Sequence, residues 1–169
     1  MGYVYLYTGT GAGKTTNALG LALRSIGHGH RVVIIQFLKW WKNTGEYKFR
    51  KLLPKQYEIY QFGREGWIGL DNLSKEDKKK AEEGLKMAEK MMKTKPNLLV
   101  LDEINLAVHT KMLDVKDVLK LLEKIPDKTN VVLTGRYAPK ELIERAEFVN
   151  EIKEIKYPAH IPAQEGIQY

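Results

Sequence analysis

The run Tyr3-Val4-Tyr5-Leu6-Tyr7 passes directly into Thr8-Gly9-Thr10-Gly11-Ala12-Gly13-Lys14-Thr15-Thr16. A short apolar strand, a glycine-rich turn and Lys-Thr at the head of a helical pattern together read as a phosphate-binding loop, which commits the chain to a strand-then-helix order with a ligand at the strand's carboxyl end. Backbone N–H groups freed at Gly9, Gly11 and Gly13 can converge on phosphate oxygens, and the N-terminus of the following helix adds its partial positive charge. Lys14 supplies a full charge, solvent-facing until a nucleotide arrives, and Thr15 a hydroxyl for Mg²⁺; Thr10, Ala12 and Thr16 complete the nucleotide-binding stretch. The usual pattern has Gly where Thr8 stands, so the loop is a variant.

At 169 residues the chain has the size of one domain, 1–169, able to bury about two-thirds of its unfolded surface. It holds no cysteine, which removes disulfides, thiolate zinc sites and thiol catalysis, and its four histidines (His28, His30, His109, His160) lack metal-ligand spacing. Any metal is then Mg²⁺ carried by the nucleotide. No apolar stretch approaches bilayer length, and Met1-Gly2-Tyr3 leads straight into the first strand without a signal peptide, so a cytoplasmic location is expected.

Strands alternate with helices along the chain. Tyr3–Tyr7 is the first strand and Lys14–Ile26 the first helix, ended by Gly27 and Gly29. Arg31–Phe37 is too continuously apolar for a half-exposed strand and suits a parallel sheet covered on both faces. Tyr57–Phe62 is a shorter strand. Ser74 caps a helix of about twenty residues with Asp77 in the capping-box position. Ala81, Leu85, Ala88 and Met92 form its apolar stripe, and Glu82/Lys86 and Glu89/Lys93 fall at i,i+4 on the other face. Beyond Leu98–Glu103 the expected elements are helices at Ile104–Val108, Val115–Lys124 (capped by Asp114) and Pro139–Ala146, strands at Asn130–Thr134 and Val149–Ile155, and an irregular tail, Tyr157–Tyr169. This alternation predicts a three-layer α/β/α fold with a mainly parallel sheet of five or six strands, of the RecA-like P-loop NTPase kind.

Leu98-Leu99-Val100-Leu101-Asp102-Glu103 is the second landmark. A buried strand ending in an acidic pair delivers a carboxylate beside a phosphate loop, the arrangement that holds Mg²⁺ in P-loop proteins, so Thr15, Asp102 and Glu103 are the candidate metal ligands. Asp102 is also placed to cap the helix that follows. Thr134-Gly135-Arg136 puts a guanidinium on the ligand face of the sheet, where Arg136 can clamp a phosphate or steady charge on a leaving polyphosphate. Between Leu38 and Arg64, seven basic residues face only Glu46 and Glu58. That field suits a phosphate-bearing ligand beside the loop or, less well for want of a recognition pattern, nucleic acid.

Seven segments carry a resemblance. They are the loop with its leading Thr, Gly27-His28-Gly29, Gln36-Phe37-Leu38-Lys39, Thr44-Gly45-Glu46, Leu101-Asp102-Glu103-Ile104-Asn105, Leu133-Thr134-Gly135-Arg136 and the terminal Ala163-Gln164-Glu165-Gly166-Ile167-Gln168-Tyr169. In this order they resemble the ATP:corrinoid adenosyltransferases of the P-loop type, which make adenosylcobalamin, over nearly the whole chain. The resemblance implies ATP, Mg²⁺ and a reduced corrinoid such as cob(I)alamin as ligands, transfer of the 5′-deoxyadenosyl group with release of triphosphate, a homodimer, and an electron-donor protein as the source of cobalt(I). Lys14 and Arg136 would hold the triphosphate. Members usually carry Lys where Ala12 stands, so one phosphate contact is either missing or supplied by Lys39 or Lys42. Better-known bacterial members also have an N-terminal extension over the active site, whereas this sequence opens at its first strand. For the corrin face, Trp67, within Phe62-Gly63-Arg64-Glu65-Gly66-Trp67, is the leading candidate; Trp40 and Trp41 serve equally as core or as ligand wall. The competing reading is a P-loop NTPase or NTP-dependent nucleic-acid-binding module using the Leu38–Arg64 stretch; a kinase is weaker, for want of a second strand-end aspartate.

Overall fold

The computed structural model describes residues 2–66, 69–160 and 162–169. Its strands are β1 (Val4–Thr8), β2 (Val32–Phe37), β3 (Tyr57–Phe62), β4 (Leu98–Asp102), β5 (Asn130–Thr134) and β6 (Phe148–Glu151), and its helices are α1 (Lys14–Gly27), α2 (Gly45–Phe49), α3 (Lys75–Lys93), α4 (Ile104–His109), α5 (Val115–Leu122) and α6 (Lys140–Arg145). The strands form one sheet in the order β3-β2-β4-β5-β1-β6, and every pairing is parallel. The fold is therefore the expected three-layer α/β/α P-loop architecture. β5 lies between the loop-bearing β1 and the acidic β4, so the two landmarks meet across an intervening strand.

Side-chain alternation along each strand sorts the core into two unequal halves. One face packs Val33, Ile35, Leu99, Leu101, Val131 and Leu133 against α3 to α6, while Val32, Ile34, Val100 and Val132 on the other meet Ala18 and Ala22 of α1. All six β2 residues are buried, which is why its run reads as apolar at every position but Gln36. On α3, Ala81, Ala88 and Met92 are buried as the stripe requires. Gly84 lies there too, because a Cβ would sit 2.8 Å from the Phe37 ring. Glu89 reaches Lys124, at 3.8 Å, in place of the expected Lys93.

Sequence reading missed α2, a five-residue helix, and the 3-10 turn Leu70–Asn72; both are too short to show periodicity. The final strand starts at Phe148 and stops at Glu151, short of the expected Ile155. Its partner β1 ends at Thr8, where the phosphate loop begins, so no strand remains for the chain to pair with.

The α3 N-terminus is a complete capping box: Ser74 Oγ accepts from the Asp77 N–H, and Asp77 Oδ2 accepts from the Ser74 N–H at 2.8 Å. Arg64 also donates to Asp77, at 3.2 Å. Burial works to raise the Asp77 pKa, but the Ser74 hydrogen bonds and the Arg64 charge outweigh it and hold the carboxyl below its ordinary value. A depressed folded pKa contributes stability above the unfolded value of about 4 and loses it as pH falls through the folded value. Asp77→Asn is expected to cost about 1 kcal/mol at neutral pH. The gap in thermal midpoint between variant and wild type should close as pH drops below about 4; a gap independent of pH would contradict this account.

Candidate active site

α1 begins immediately after Gly13, whose φ of 107° is left-handed, and no side chain caps it. Its first N–H groups are thus available to a ligand. Gly9 and Gly11 are required by close approach: Cβ atoms there would fall 2.3 Å from the Ile152 carbonyl oxygen and 2.8 Å from the Lys153 carbonyl carbon. A Cβ at Gly13 would meet nothing within 4 Å, so that glycine serves the backbone angle alone. The turn cups a cavity of about 320 Å³ lined by Thr10 to Thr16 together with Glu103, Arg136, Glu154 and Tyr157. Lys14 is not the solvent-facing charge that the sequence suggests. It is 6% exposed, and its ammonium donates to the Gly11 carbonyl at 2.6 Å, folded back over its own loop. Desolvation, with the Arg136 charge in support, lowers its pKa against the opposing pull of Glu103 and Asp102.

One polar residue ends the α1-facing row of each of the four adjacent strands β3, β2, β4 and β5. Register sets Gln61 of β3 beside Gln36 of β2, and Gln36 beside Asp102 of β4. Thr134 stands at the same level on β5. The Asp102 carboxylate, fully buried, accepts four donors: Thr134 at 2.6 Å and Thr15 at 2.9 Å on Oδ1, Lys39 at 2.7 Å and Gln36 at 3.0 Å on Oδ2. Burial alone would raise its pKa, but the Lys39 ammonium and these hydrogen bonds hold it below the usual carboxylate range. Burial likewise opposes the charge on Lys39, and Asp102 overcomes it, so the pair stays ionised. Asp102 therefore does not cap α4. That position is taken by Glu103 at φ 64°, with no side-chain cap bond.

The left-handed turn places Glu103 in the wall of the loop cavity, which Arg136 also lines. Its pKa is raised by burial first and by the Asp102 charge second. The acidic pair so divides: Asp102 contacts the Thr15 hydroxyl, while Glu103 faces the phosphate space. A hydroxyl and a carboxylate in contact, completed by phosphate oxygens, form the hard-oxygen set that Mg²⁺ takes with nucleotides, so these residues fit the ion. No cluster of three or more acidic, His or Cys side chains is arranged for a metal among the described residues.

Asn105, fully buried, ties the loop strand to the arginine turn, donating to the carbonyls of Tyr7 at 3.3 Å and Gly135 at 3.2 Å. Thr8 Oγ1 accepts the Ala138 N–H at 3.3 Å, a bond that Gly at this position could not make. The unusual first loop residue thereby fixes the turn that carries Arg136. Sequence reasoning gave no site role to Gln36, Gln61, Thr134 or Asn105, although Gln36 and Thr134 each interrupt or end an apolar run and Asn105 is the one polar residue within Ile104–Val108.

Trp41 is 40% exposed and meets Tyr169 at 4.7 Å between ring centroids; Trp40 is half-buried. Both line a cavity of about 640 Å³ with Gln61 and Gly63, so neither is core. Trp67, the leading corrin-face candidate, lies outside the described residues. Phe62 packs on the core and Arg64 pairs with Asp77. Four of the seven basic residues in the Leu38–Arg64 stretch have partners: Lys39 on Asp102, Lys48 near Glu165, Arg50 over Tyr47, and Arg64. The stretch is accordingly not one continuous basic face.

The family model of ATP:corrinoid adenosyltransferase BtuR/CobO/CobP matches residues 1–169. The chain belongs to this family. A corrinoid adenosyltransferase of Sinorhizobium sp. is 36% identical over 176 residues, covering 99% of this chain and 80% of that protein. Those of Pseudomonas aeruginosa and Escherichia coli are 33% and 31% identical over 171 residues, covering 99% of this chain and 84% and 86% of theirs. In this corrinoid adenosyltransferase the terminal segment is an ordered turn: the Gln168 N–H reaches the Gln164 carbonyl at 2.9 Å, which sets Tyr169 against Trp41.

Two variants test the loop. Gly9→Ala combines a positive φ with a backbone collision and is expected to cost at least about 1–3 kcal/mol of stability, read by thermal melting. Lys14→Ala removes a buried charge bonded only to its own loop; it should fold normally and lose nucleotide binding, and retained ATP affinity would refute the phosphate-loop assignment.

Proposed function

We propose that the chain transfers the 5′-deoxyadenosyl group of ATP to cobalt(I) of cob(I)alamin, releasing triphosphate, as a step in making adenosylcobalamin. The observation that carries this reading is one of adjacency. Lys39 touches Thr15 and Asp102 at the phosphate site, and the next two residues, Trp40 and Trp41, line a neighbouring cavity whose remaining walls are mostly polar. A single loop thus joins a polyphosphate cradle to two indole rings that offer flat faces to a ring system, with polar side chains around them for its polar rim.

In this reaction the cobalt electron pair forms a bond to the 5′ carbon, the bond from that carbon to the triphosphate oxygen breaks, and triphosphate departs with the electron pair. No water needs activating and no side chain attacks, so the protein's part is orientation, charge neutralisation and exclusion of solvent. Lys14, Arg136 and the α1 N-terminus, with Thr10 to Thr16 of the loop, hold the triphosphate as its charge grows. Thr15 and Asp102, with Glu103 beside the phosphates, hold Mg²⁺, which when bound offsets that charge. Trp40 and Trp41 face the corrin. Residues 1–169 act as one domain, and a homodimer, a cytoplasmic location and an electron-donor protein belong to the same reading.

Anaerobic incubation with ATP, Mg²⁺ and cob(I)alamin is the test. Adenosylcobalamin and triphosphate are expected in equal amounts, with no triphosphate when the corrinoid is left oxidised. Orthophosphate release stimulated by polynucleotide, with no cobalt alkylation, would overturn the proposal in favour of a nucleic-acid-dependent NTPase.

A further inference from the structure

Thr15 and Asp102 already share a cation. The Lys39 ammonium is 3.1 Å from Thr15 Oγ1 and 2.7 Å from Asp102 Oδ2, so it sits against both groups assigned to the metal. We infer that Lys39 is an internal stand-in for the divalent ion, seated between Thr15 and Asp102 while the nucleotide site is vacant and displaced when Mg²⁺ arrives with its nucleotide. The inference rests on the metal assignment made above and is independent of the corrin chemistry.

Three observations support it. The Asp102 carboxylate is fully buried, and a buried anion without a countercharge is costly, so the nucleotide-free protein needs a cation at this point. Lysine suits a temporary tenant, being a compact charge on a flexible four-carbon stem. The backbone beneath it is fixed: Leu38 adopts φ 61°, its N–H is held by the Phe62 carbonyl at 3.1 Å, and Gly63 packs so closely that a Cβ would lie 2.7 Å from the Lys39 nitrogen. Displacement is therefore a swing of the side chain, which carries the ammonium from the carboxylate towards the phosphates and leaves Trp40 and Trp41 in place. Gln36, Thr134 and Thr15 remain to hold Asp102 during the exchange.

The test is equilibrium binding of a fluorescent ATP analogue to the full chain, in EDTA and in saturating Mg²⁺, read as the ratio of the two dissociation constants. In the wild type Lys39 supplies the missing cation and the ratio is small. In Lys39→Met, binding in EDTA should weaken while binding in Mg²⁺ holds or tightens, raising the ratio about tenfold or more; Lys39→Arg, which keeps a charge, should stay near the wild-type ratio. Should Lys39→Met fail to fold, as judged by circular dichroism, Lys39→Gln takes its place. A ratio unchanged in the neutral variants would overturn the inference. Asp102→Asn separates the two layers of argument. If it leaves the wild-type Mg²⁺ dependence intact, the metal is not at Asp102, and both the assignment and the inference fall, whereas a failure of adenosyl transfer alone would not move any of these binding constants.

Discussion

A carboxylate buried in the middle of the sheet organises this molecule. Asp102 is reached by Thr15 from α1, Gln36 from β2, Thr134 from β5 and Lys39 from the loop after β2. An anion in this position is strongly unfavourable until its lone pairs are filled, and each unmade bond would cost on the order of 1–3 kcal/mol. The four donors come from widely separated parts of the chain, so satisfying one charge fixes the helix that carries the phosphate loop, the register of three strands and the start of the tryptophan loop. Strand pairing alone sets heights in the sheet; Asp102 sets which helix turn stands over them.

The order of strands and helices is largely legible in the sequence because it follows from local signals. The loop and its helix, the capping box at Ser74 and Asp77, and the apolar runs that become β2, β4 and β5 all lie where periodicity and turn chemistry put them. The misplaced ends are those governed by distant partners. β6 stops at Glu151 because β1 stops at Thr8, and no pattern within 148–155 carries that information. For the same reason the Lys14 side chain was misjudged: its nearest partner, the Gly11 carbonyl, exists only once the turn has closed.

Site residues divide along the same line. Lys14, Thr15, Asp102 and Arg136 are recognisable from residue type and spacing, and the structure brings Lys14, Thr15 and Arg136 to one cavity with Asp102 bonded to Thr15. Gln36, Gln61 and Thr134 are invisible singly, since a polar residue at the end of an apolar run usually marks only the strand's exit into solvent. Their meaning comes from register, which sets Gln61 next to Gln36 and Gln36 next to Asp102, so that Gln61 donates to Gln36 at 3.0 Å and Gln36 to the carboxylate. The same amide of Gln61 reaches the Trp41 carbonyl at 3.3 Å. A chain of side-chain amides therefore runs from the acidic centre to the tryptophan-lined cavity.

Thr8 and Asn105 anchor the arginine turn to the loop strand through the Ala138 N–H and the Gly135 carbonyl. Under the proposed function the backbone of the triphosphate cradle is thus set before any ligand enters, and such rigidity acts on both sides of the reaction. A cradle complementary to a departing triphosphate is also complementary to the product that remains in it, while the alkylated corrinoid has lost its covalent tie to those phosphates. Under the proposed function, the fixed contacts that favour the departure of triphosphate from the 5′ carbon also oppose its release from the loop.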